Sequence, residues 1–310
     1  MRHLLRSFVL FLSVTLAGLF GPARAQDSAP AASAAASQTP ATRRALRPAL
    51  WKVADKDTTI YLFGTIHALP DGVEWMNGPV EAAMRASSQL VTEIPETDPA
   101  EMQQAVIANA ILPAGENLRT KLNESTRAKF EKALAEFGLP AEAFDRFEPW
   151  YAAVALTALP LARDGYSADN GVEEKISHLA KTLGRPRMGL ETAAFQFSMF
   201  DTLPQDVQLK YLSEVLDNLP TLDEDLQKII DQWGAGNADQ LAELINADED
   251  DPRMVTVLLI NRNKMWADWI KARMKRPGTV FMAVGAGHLA GKDSVQDMLA
   301  KRGIKAQRLQ

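Results

Sequence analysis

The segment "IYLFGTIHALPDG", Ile60 to Gly72, carries the clearest fold signal in the chain. An apolar run ends at Gly64, and His67 follows three residues later. β-Branched and aromatic residues are enriched in strands, so the sequence predicts a β-strand from Thr58 to Phe63. This strand is expected to end at a glycine and to present a histidine just beyond the sheet.

The same phrase returns near the other end of the chain as "VFMAVGAGHLAG", Val280 to Gly291. A second strand is predicted over Thr279 to Val284, and here Gly285 precedes His288 by three residues. Two of the three histidines beyond residue 25 therefore share the Gly-x-x-His spacing, each directly after a predicted strand. The repetition predicts one site built from both copies.

The elements around these two strands indicate the fold class. A helix over Asn77–Ser87 and a strand over Gln89–Ile94 complete a β-α-β unit with parallel strands. The middle of the chain is mostly helical and includes one strand, Arg185–Glu191. A helix over Asp293–Lys301 and a strand over Lys305–Leu309 close the chain. We predict an α/β (α+β) fold, with a small mixed sheet formed by strands from both ends of the chain and a large helical insertion.

Composition excludes several classes of protein. Hydrophobic residues make up 46% and charged residues 24% of the 310 residues, which is typical of globular chains. The formal net charge of -5 gives nucleic acid no electrostatic reason to bind. The chain has no cysteine, so it has no disulfide, thiolate metal site or lipid-modified cysteine anchor. We expect a globular protein with no nucleic-acid partner.

The N-terminus predicts export. Arg2 and Arg6 precede an apolar block from Phe8 to Phe20, and "ARA" ends at Ala25, which is the pattern of a signal peptide cleaved after that residue. The block is shorter than the ~20 residues that span a bilayer, so a retained anchor is the less favoured alternative. The predicted location is the periplasm or the medium, with no stable membrane anchor after cleavage.

Three segments follow from this reading. Residues 1–25 are the signal peptide, residues 26–45 are a disordered linker rich in Ala, Ser and Pro, and residues 46–310 are the folded domain.

Polar residues lie at the carboxyl ends of the four principal predicted strands: His67 and His288 come just after their strands, Glu93 lies in the second strand, and Glu191 ends the third. The carboxyl ends of parallel strands meet at one edge of a sheet, where ligand sites form. Imidazole and carboxylate groups are common ligands of divalent transition metals, so the sequence predicts a metal site there. A competing interpretation makes Glu191 the cap of a helix that begins near Thr192.

Arg262 is expected to support this site from a long predicted helix, Pro252–Met274. It shares a stripe of that helix with apolar residues such as Trp266, so the stripe should face the core. A buried guanidinium needs an acceptor, and Glu93 or Glu191 is the predicted partner. The alternative is that the side chain of Arg262 reaches solvent along its aliphatic stem.

The motif glycines are expected to let the backbone leave each strand through conformations closed to other residues and to approach a ligand closely. These are Gly64 and Gly285. The segment "GAGHLAG" lacks the final spacing of a dinucleotide fingerprint, and no Gly-x-Ser-x-Gly elbow is present. The third histidine, His178, lies off the apolar face of its predicted helix and is expected to be solvated.

In chain order, the motifs "LFGTIHALP", "LVTEIP", "GLET", "NRNKMW" and "AVGAGHLAG" resemble those of the TraB/GumN family, which includes the pheromone-shutdown proteins and the animal Tiki proteases. The resemblance covers residues 46–310. Its most specific part is the pair Gly64–His67 and Gly285–His288 with the acidic Glu93. Further family positions match at Gly189–Glu191 and Arg262–Asn263.

The resemblance implies a metal-dependent hydrolase, because these motifs belong to a manganese- or cobalt-dependent metallopeptidase in the Tiki branch. Similarity to erythromycin esterases and to a haem-binding lipoprotein leaves the chemistry open. The chain looks most like the exported bacterial GumN-like members. It departs from the Tiki branch because it lacks a C-terminal membrane anchor.

Our leading hypothesis is that His67 and His288 bind one divalent metal ion, manganese, cobalt or zinc, with help from Glu93 or Glu191. One glutamate then acts as general base, while Arg262 holds that glutamate or steadies the oxyanion. The substrate is expected to be a peptide or another small exported molecule. The alternative is a non-catalytic binding protein for a peptide, haem or saccharide.

Overall fold

The computed structural model describes residues 46–76, 78–245 and 251–310. The predicted signal peptide and linker lie outside the described residues. The described part is a mixed six-stranded sheet with helices on both faces, and a two-stranded sheet lies apart from it. The predicted α+β architecture is confirmed.

In chain order the strands are β1 (Leu50–Ala54), β2 (Thr58–Thr65), β3 (Leu69–Pro70), β4 (Gln89–Thr92), β5 (Tyr166–Ser167), β6 (Arg187–Gly189), β7 (Gly278–Gly285) and β8 (Gln307–Arg308). The main sheet has the order β6-β4-β7-β2-β1-β8, and β3 pairs with β5 in the small sheet. Strands β6, β4, β7 and β2 are parallel, while β1 and β8 add an antiparallel edge. Strands from the two ends of the chain, β2 and β7, therefore lie side by side at the centre.

The helices of the described residues are α1 (Gly78–Ala86), α2 (Pro99–Ala110), α3 (Leu118–Lys121), α4 (Glu124–Glu136), α5 (Pro149–Arg163), α6 (Val172–Thr182), α7 (Ala193–Asp201), α8 (Gln205–Asn218), α9 (Leu222–Gly234), α10 (Ala238–Ile245), α11 (Pro252–Val255), α12 (Asn261–Arg273) and α13 (Val295–Ala300). Within these described segments we find no helix with the length and apolar character that a membrane span requires.

The long helix predicted from Pro252 to Met274 is interrupted. Residues Thr256–Ile260 form a π-helical turn between α11 and α12, in which the N–H of Asn261 donates to the carbonyl of Thr256. The prediction of one regular helix is therefore wrong at this turn. π-Turns occur often at functional sites, and this one directly precedes Arg262.

Strand β1 was not predicted, although it pairs with β2 from Leu50↔Phe63 to Ala54↔Thr59. The turn between the two strands is closed by Asp55, whose Oδ1 accepts hydrogen bonds from the N–H groups of Asp57 and Thr58. This Asx-type turn was the available sequence signal for a hairpin.

The central strands are buried on both faces. Phe63 and Phe281 pack at 5.8 Å between ring centroids on one face, while Ile60 and Val280 lie in the core on the other. Side chains alternate between faces along a strand, so each strand contributes to both cores. Helix α12 covers the second face through residues such as Trp266. This double covering leaves the carboxyl edge of the parallel strands as the place where polar groups converge.

Candidate functional site

The two Gly-x-x-His motifs meet because β2 and β7 pair in parallel. The register ends at Thr65↔Gly285, so both chains leave the sheet at the same edge. The side chain of His67 is 7% exposed and that of His288 is fully buried. Pairing of the distant strands therefore brings both predicted histidines to one edge.

The two motif glycines allow neighbouring groups to pack closely against the backbone, and they do not adopt conformations that only glycine can adopt. Neither Gly64 nor Gly285 has a positive φ, so the predicted conformational role is wrong for both. A Cβ on Gly64 would lie 3.0 Å from the Cα of Ala286, where the loop after β7 crosses it. The N–H of Gly285 donates to Oε1 of Glu93 at 2.7 Å. One glycine admits the neighbouring loop, and the other binds a carboxylate through its backbone.

Glu93 and Glu191 are held side by side by backbone pairing that continues past the ends of β4 and β6. The N–H of Glu191 donates to the carbonyl of Glu93 at 2.8 Å. The cap of α7 is Thr192, whose Oγ1 accepts from the N–H of Phe195 at 3.1 Å. The alternative in which Glu191 caps this helix is therefore wrong.

Arg262 joins the two carboxylates. Its Nη2 donates to Oε2 of Glu93 at 2.6 Å and to Oε2 of Glu191 at 2.9 Å, and its Nε donates to Oε1 of Glu191 at 3.0 Å. The Nε2 amide of Gln196 bridges the same two carboxylates at 3.0 Å each. Arg262 is 2% exposed, so the predicted carboxylate partner is confirmed, and the alternative of a side chain that reaches solvent is wrong.

The charge on Arg262 is stabilised by these partners. Burial works against the charged guanidinium, but the charges of Glu93 and Glu191 and their hydrogen bonds outweigh it and raise the pKa of Arg262. The side chain also stacks on the indole of Trp266, with Cζ 4.7 Å from the ring centroid. We call Arg262, Glu93, Glu191, Gln196 and Trp266 the Arg262 cluster. Its charged groups are all held by ion pairs and hydrogen bonds within it.

His288 is held in one tautomer. The Nδ2 amide of Asn263 donates to the carbonyl of Asp293 at 2.8 Å, so its Oδ1 faces Nδ1 of His288 at 2.6 Å and accepts a proton from it. Nε2 of His288 then accepts from Nη1 of Arg262 at 3.0 Å. His288 is a neutral imidazole with both nitrogens engaged.

Its surroundings keep His288 neutral. Burial lowers the pKa of His288 well below 6.5, and the positive charges of Arg262 and of His67, when protonated, add to this.

His67 has a different partner. Its Nδ1 lies 2.6 Å from Oε1 of Glu173, which belongs to the first turn of α6. Burial favours the protonated form of Glu173, but the charge of His67 and its hydrogen bond, with a contribution from Thr65, outweigh burial and lower the pKa of Glu173. The ionised carboxylate therefore holds the proton on Nδ1 of His67 and fixes the ring.

A cleft of about 230 Å³ opens at this edge of the sheet. His67, Glu93 and Glu173 line it, together with Arg187 and Ser177. The predicted side chains that do not line it are those of His288, Glu191 and Arg262, which lie buried behind Glu93, and the motif glycines Gly64 and Gly285 do not line it either. A ligand in the cleft meets His67 and Glu93, and the Arg262 cluster supports Glu93 from behind.

The arrangement does not fit a metal ion bound jointly by His67, His288 and Glu93. Nε2 of His288 and Oε2 of Glu93 both accept from the guanidinium of Arg262, so a cationic side chain already occupies the space between them. In residues 46–76, 78–245 and 251–310, no three His, Asp or Glu side chains are grouped in a way that could hold a metal. The manganese, cobalt or zinc ion stays a prediction.

Comparison with known proteins shows to which family the chain is related. The family model of the TraB/PrgY/gumN family matches residues 49–308, nearly the whole described chain. The chain belongs to the TraB/PrgY/gumN family. This confirms the resemblance drawn from the motifs.

Several known proteins are similar in sequence to this chain over much of its length. The uncharacterised protein YbaP of Escherichia coli is 29% identical over 190 residues, which is 61% of this chain and 70% of YbaP, and YbaP of Shigella flexneri matches equally. An uncharacterised protein of Treponema pallidum is 20% identical over 280 residues, which is 81% of this chain and 80% of that protein. No solved structure matches.

Two residues of the site lie outside the sequence motifs and were not predicted. Glu173 lies on helix α6, far along the chain from His67, and Gln196 lies on helix α7, far along the chain from Glu93. Both look like ordinary helix surface in the sequence. The hydrogen bond from the N–H of Val172 to the carbonyl of Ile66, at 3.0 Å, carries Glu173 to the first histidine motif.

Proposed function

We propose that this protein is a hydrolase that cuts a peptide or a comparably small substrate in the cleft, with His67 as general base. The observation that carries the proposal is the 2.6 Å contact between Nδ1 of His67 and Oε1 of Glu173 in the cleft wall. A carboxylate that fixes Nδ1–H selects the tautomer in which Nε2 carries the lone pair, and it is this nitrogen that takes up a proton in general-base catalysis.

The chemistry follows from this pairing. Nε2 of His67 takes a proton from water as the water oxygen bonds to the substrate carbonyl carbon. The carbon–nitrogen bond then breaks, and the imidazolium returns the proton to the leaving amine. Glu173 stabilises the imidazolium while it exists, because its negative charge lies beside Nδ1.

Glu93 supplies the second polar group of the cleft. Its two oxygens are fixed by Gly285, Gln196 and Arg262, so its position costs no reorganisation when a ligand binds. We assign to it the orientation of a substrate N–H or amine. Arg262, Glu191 and His288 hold Glu93 in place and do not reach the substrate.

This mechanism takes no step through a metal ion. Of the three predicted ligands, His67 and Glu93 line the cleft, whereas ligation by His288 requires Arg262 to leave its Nε2. Metal dependence is therefore measured as a separate arm of the experiment.

The test is peptide hydrolysis by the purified chain. A pool of short synthetic peptides is incubated with the wild type and with the His67→Ala and Glu173→Gln variants, and new termini are detected by mass spectrometry. His178→Ala is the matched control, because His178 is an exposed histidine on the same helix as Glu173. We expect products from the wild type and the control, and a loss of at least ~100-fold in the two site variants.

A His67→Ala variant that cuts at the wild-type rate would refute the proposal. In the metal arm, the protein is dialysed against a chelator and then supplied with manganese, cobalt or zinc. Metal retained by the wild type but not by His67→Ala or His288→Ala would establish the predicted cofactor.

Two other predictions are tested by the same preparation. Peptide, haem or saccharide retained without product would identify the binding protein of the alternative hypothesis. Export is tested by the N-terminus of protein recovered from the producing cells, which should begin at Gln26 if cleavage follows Ala25.

A further inference from the structure

Arg187 is a positioned cation in the wall of the cleft. It lies on β6, its Nε donates to Oγ1 of Thr92 at 3.0 Å, and its Nη2 donates to the carbonyl of Ile94 at 3.1 Å. Oγ1 of Thr92 in turn donates to the carbonyl of Ile94 at 2.6 Å. The plane of the guanidinium is thus fixed before any ligand arrives.

The positive charge of Arg187 is not matched by an ion pair. Across the part of the chain that the structure describes, no carboxylate lies within ion-pair distance of it, in contrast to the two carboxylates that hold Arg262. The hydrogen bonds of Arg187 use the Nε–H and one N–H of Nη2, which leaves both N–H groups of Nη1 and the second N–H of Nη2 for a ligand. A half-buried guanidinium of this kind gains most from an anion that takes two parallel hydrogen bonds.

Burial agrees with this interpretation. It lowers the pKa of Arg187, while the more distant charges of Glu96, Glu173 and Glu174 act in the opposite direction. The charged form is therefore incompletely solvated, and a carboxylate in the cleft would restore what burial removes.

The mouth of the cleft has the opposite charge. Glu96 and Glu174 line it and are both exposed. These carboxylates disfavour a polyanion and favour a ligand that carries a positive group as well as its carboxylate. The combination of one inner cation and an acidic mouth suits a small zwitterion.

We propose that Arg187 binds the terminal carboxylate of a short peptide and that Glu96 and Glu174 attract its amino end. The inference rests on the proposed function, in which the substrate is a peptide. The volume of about 230 Å³ is below the ~300–1,000 Å³ of pockets that enclose drug-sized ligands, so the cleft holds one end of a peptide rather than a long segment. The hydrolase then cuts near a free C-terminus.

The experiment compares two pools of synthetic tripeptides with the same sequences, one with free C-termini and one with C-terminal amides. Retention by the full chain is measured by equilibrium dialysis and mass spectrometry for the wild type, Arg187→Met and Arg187→Lys. Arg185→Met is the matched control, because it removes an arginine two residues away that does not line the cleft. Thermal melts establish that each variant is folded.

We expect the wild type and Arg185→Met to retain the free acids at least 10-fold better than the amides. Arg187→Met should lose this preference, and Arg187→Lys should keep part of it, because lysine keeps the charge but not the two-pronged geometry. Equal retention of both pools by the wild type, a preference that survives in Arg187→Met, or no retention of either pool would each overturn the inference. If Arg187→Met does not fold, the comparison of acids with amides in the wild type and Arg187→Lys decides.

The outcome is separable from that of the proposed function. Products released equally from both pools would overturn the role of Arg187 and leave the hydrolase standing. Acid-selective retention without products would do the reverse.

Discussion

The buried neutral histidine of the site predicts how stability depends on pH. His288 is fully buried with both nitrogens engaged, and burial, with the charges of Arg262 and His67, lowers its pKa well below 6.5. In the unfolded chain its pKa returns to about 6.5, so between these values the unfolded state binds more protons. The contribution of His288 to stability is complete above pH 6.5 and is lost as the pH falls toward the pKa of the folded state.

The magnitude follows from proton linkage. Protonation of the unfolded state alone lowers the free energy of unfolding by about 1.4 kcal/mol at pH 5.5 and about 2 kcal/mol at pH 5. His288→Gln removes the titrating group while its amide keeps one donor and one acceptor for Asn263 and Arg262. We expect the variant to be less stable at neutral pH and to lose about 2 kcal/mol less than the wild type between pH 7 and pH 5.

The assay is urea unfolding followed by tryptophan fluorescence at pH 7, 6 and 5. Other titrating groups are common to both proteins, so the difference in slope isolates His288. His178→Gln is the control, because it makes the same replacement at an exposed histidine outside the site. If His288→Gln loses as much stability on acidification as the wild type, the account of a neutral, buried His288 is refuted.

Three further predictions concern stability and the position of His67. Arg262→Leu leaves Glu93 and Glu191 buried without their cation and should lower the free energy of unfolding, measured by urea titration, by about 3–5 kcal/mol. A loss below about 1 kcal/mol would contradict the buried ion network. Gly171→Ala places a Cβ inside van der Waals contact with the carbonyl oxygen of His67, so it should lower the free energy of unfolding by about 3 kcal/mol or more and reduce hydrolysis. Wild-type stability of this variant would show that the backbone at His67 is not tightly constrained. Trp233→Phe removes the 2.8 Å hydrogen bond from Nε1 to the carbonyl of Gly64 and should cost about 1–3 kcal/mol by thermal or urea unfolding, with an unchanged midpoint as the contrary result.

The parallel strands at the core of the fold could be predicted from the sequence because each is marked by a local pattern of residues. Strands β2 and β7 are continuous apolar runs, as expected for strands buried on both faces, and each ends at a glycine motif. Strand β1 was missed because it is short and carries Lys52 at its centre, and its pairing with β2 depends on the Asp55 turn, which was not recognised as a hairpin. The π-turn before Arg262 was missed because helix periodicity does not reveal one inserted residue.

For the candidate site, too, the sequence predicted the residues but not the contacts between them. The sequence predicts His67, His288, Glu93, Glu191 and Arg262 as site residues, since strand ends and an apolar helix face are local patterns. It could not assign their contacts. Glu93 and Glu191 share Arg262 because two parallel strands extend past their formal ends, and His67 pairs with Glu173 because α6 begins beside its backbone.

Local patterns in the sequence were enough to predict that two histidine motifs follow two buried strands and that a buried arginine needs carboxylates. The contacts that distinguish the two histidines appear only in the folded chain, where His288 is neutral behind the Arg262 cluster and His67 pairs with Glu173 at the cleft. The physical reason is that the function of an imidazole depends on which groups its two nitrogens contact. Those groups come from segments that are distant in the chain and adjacent only after the strands have paired.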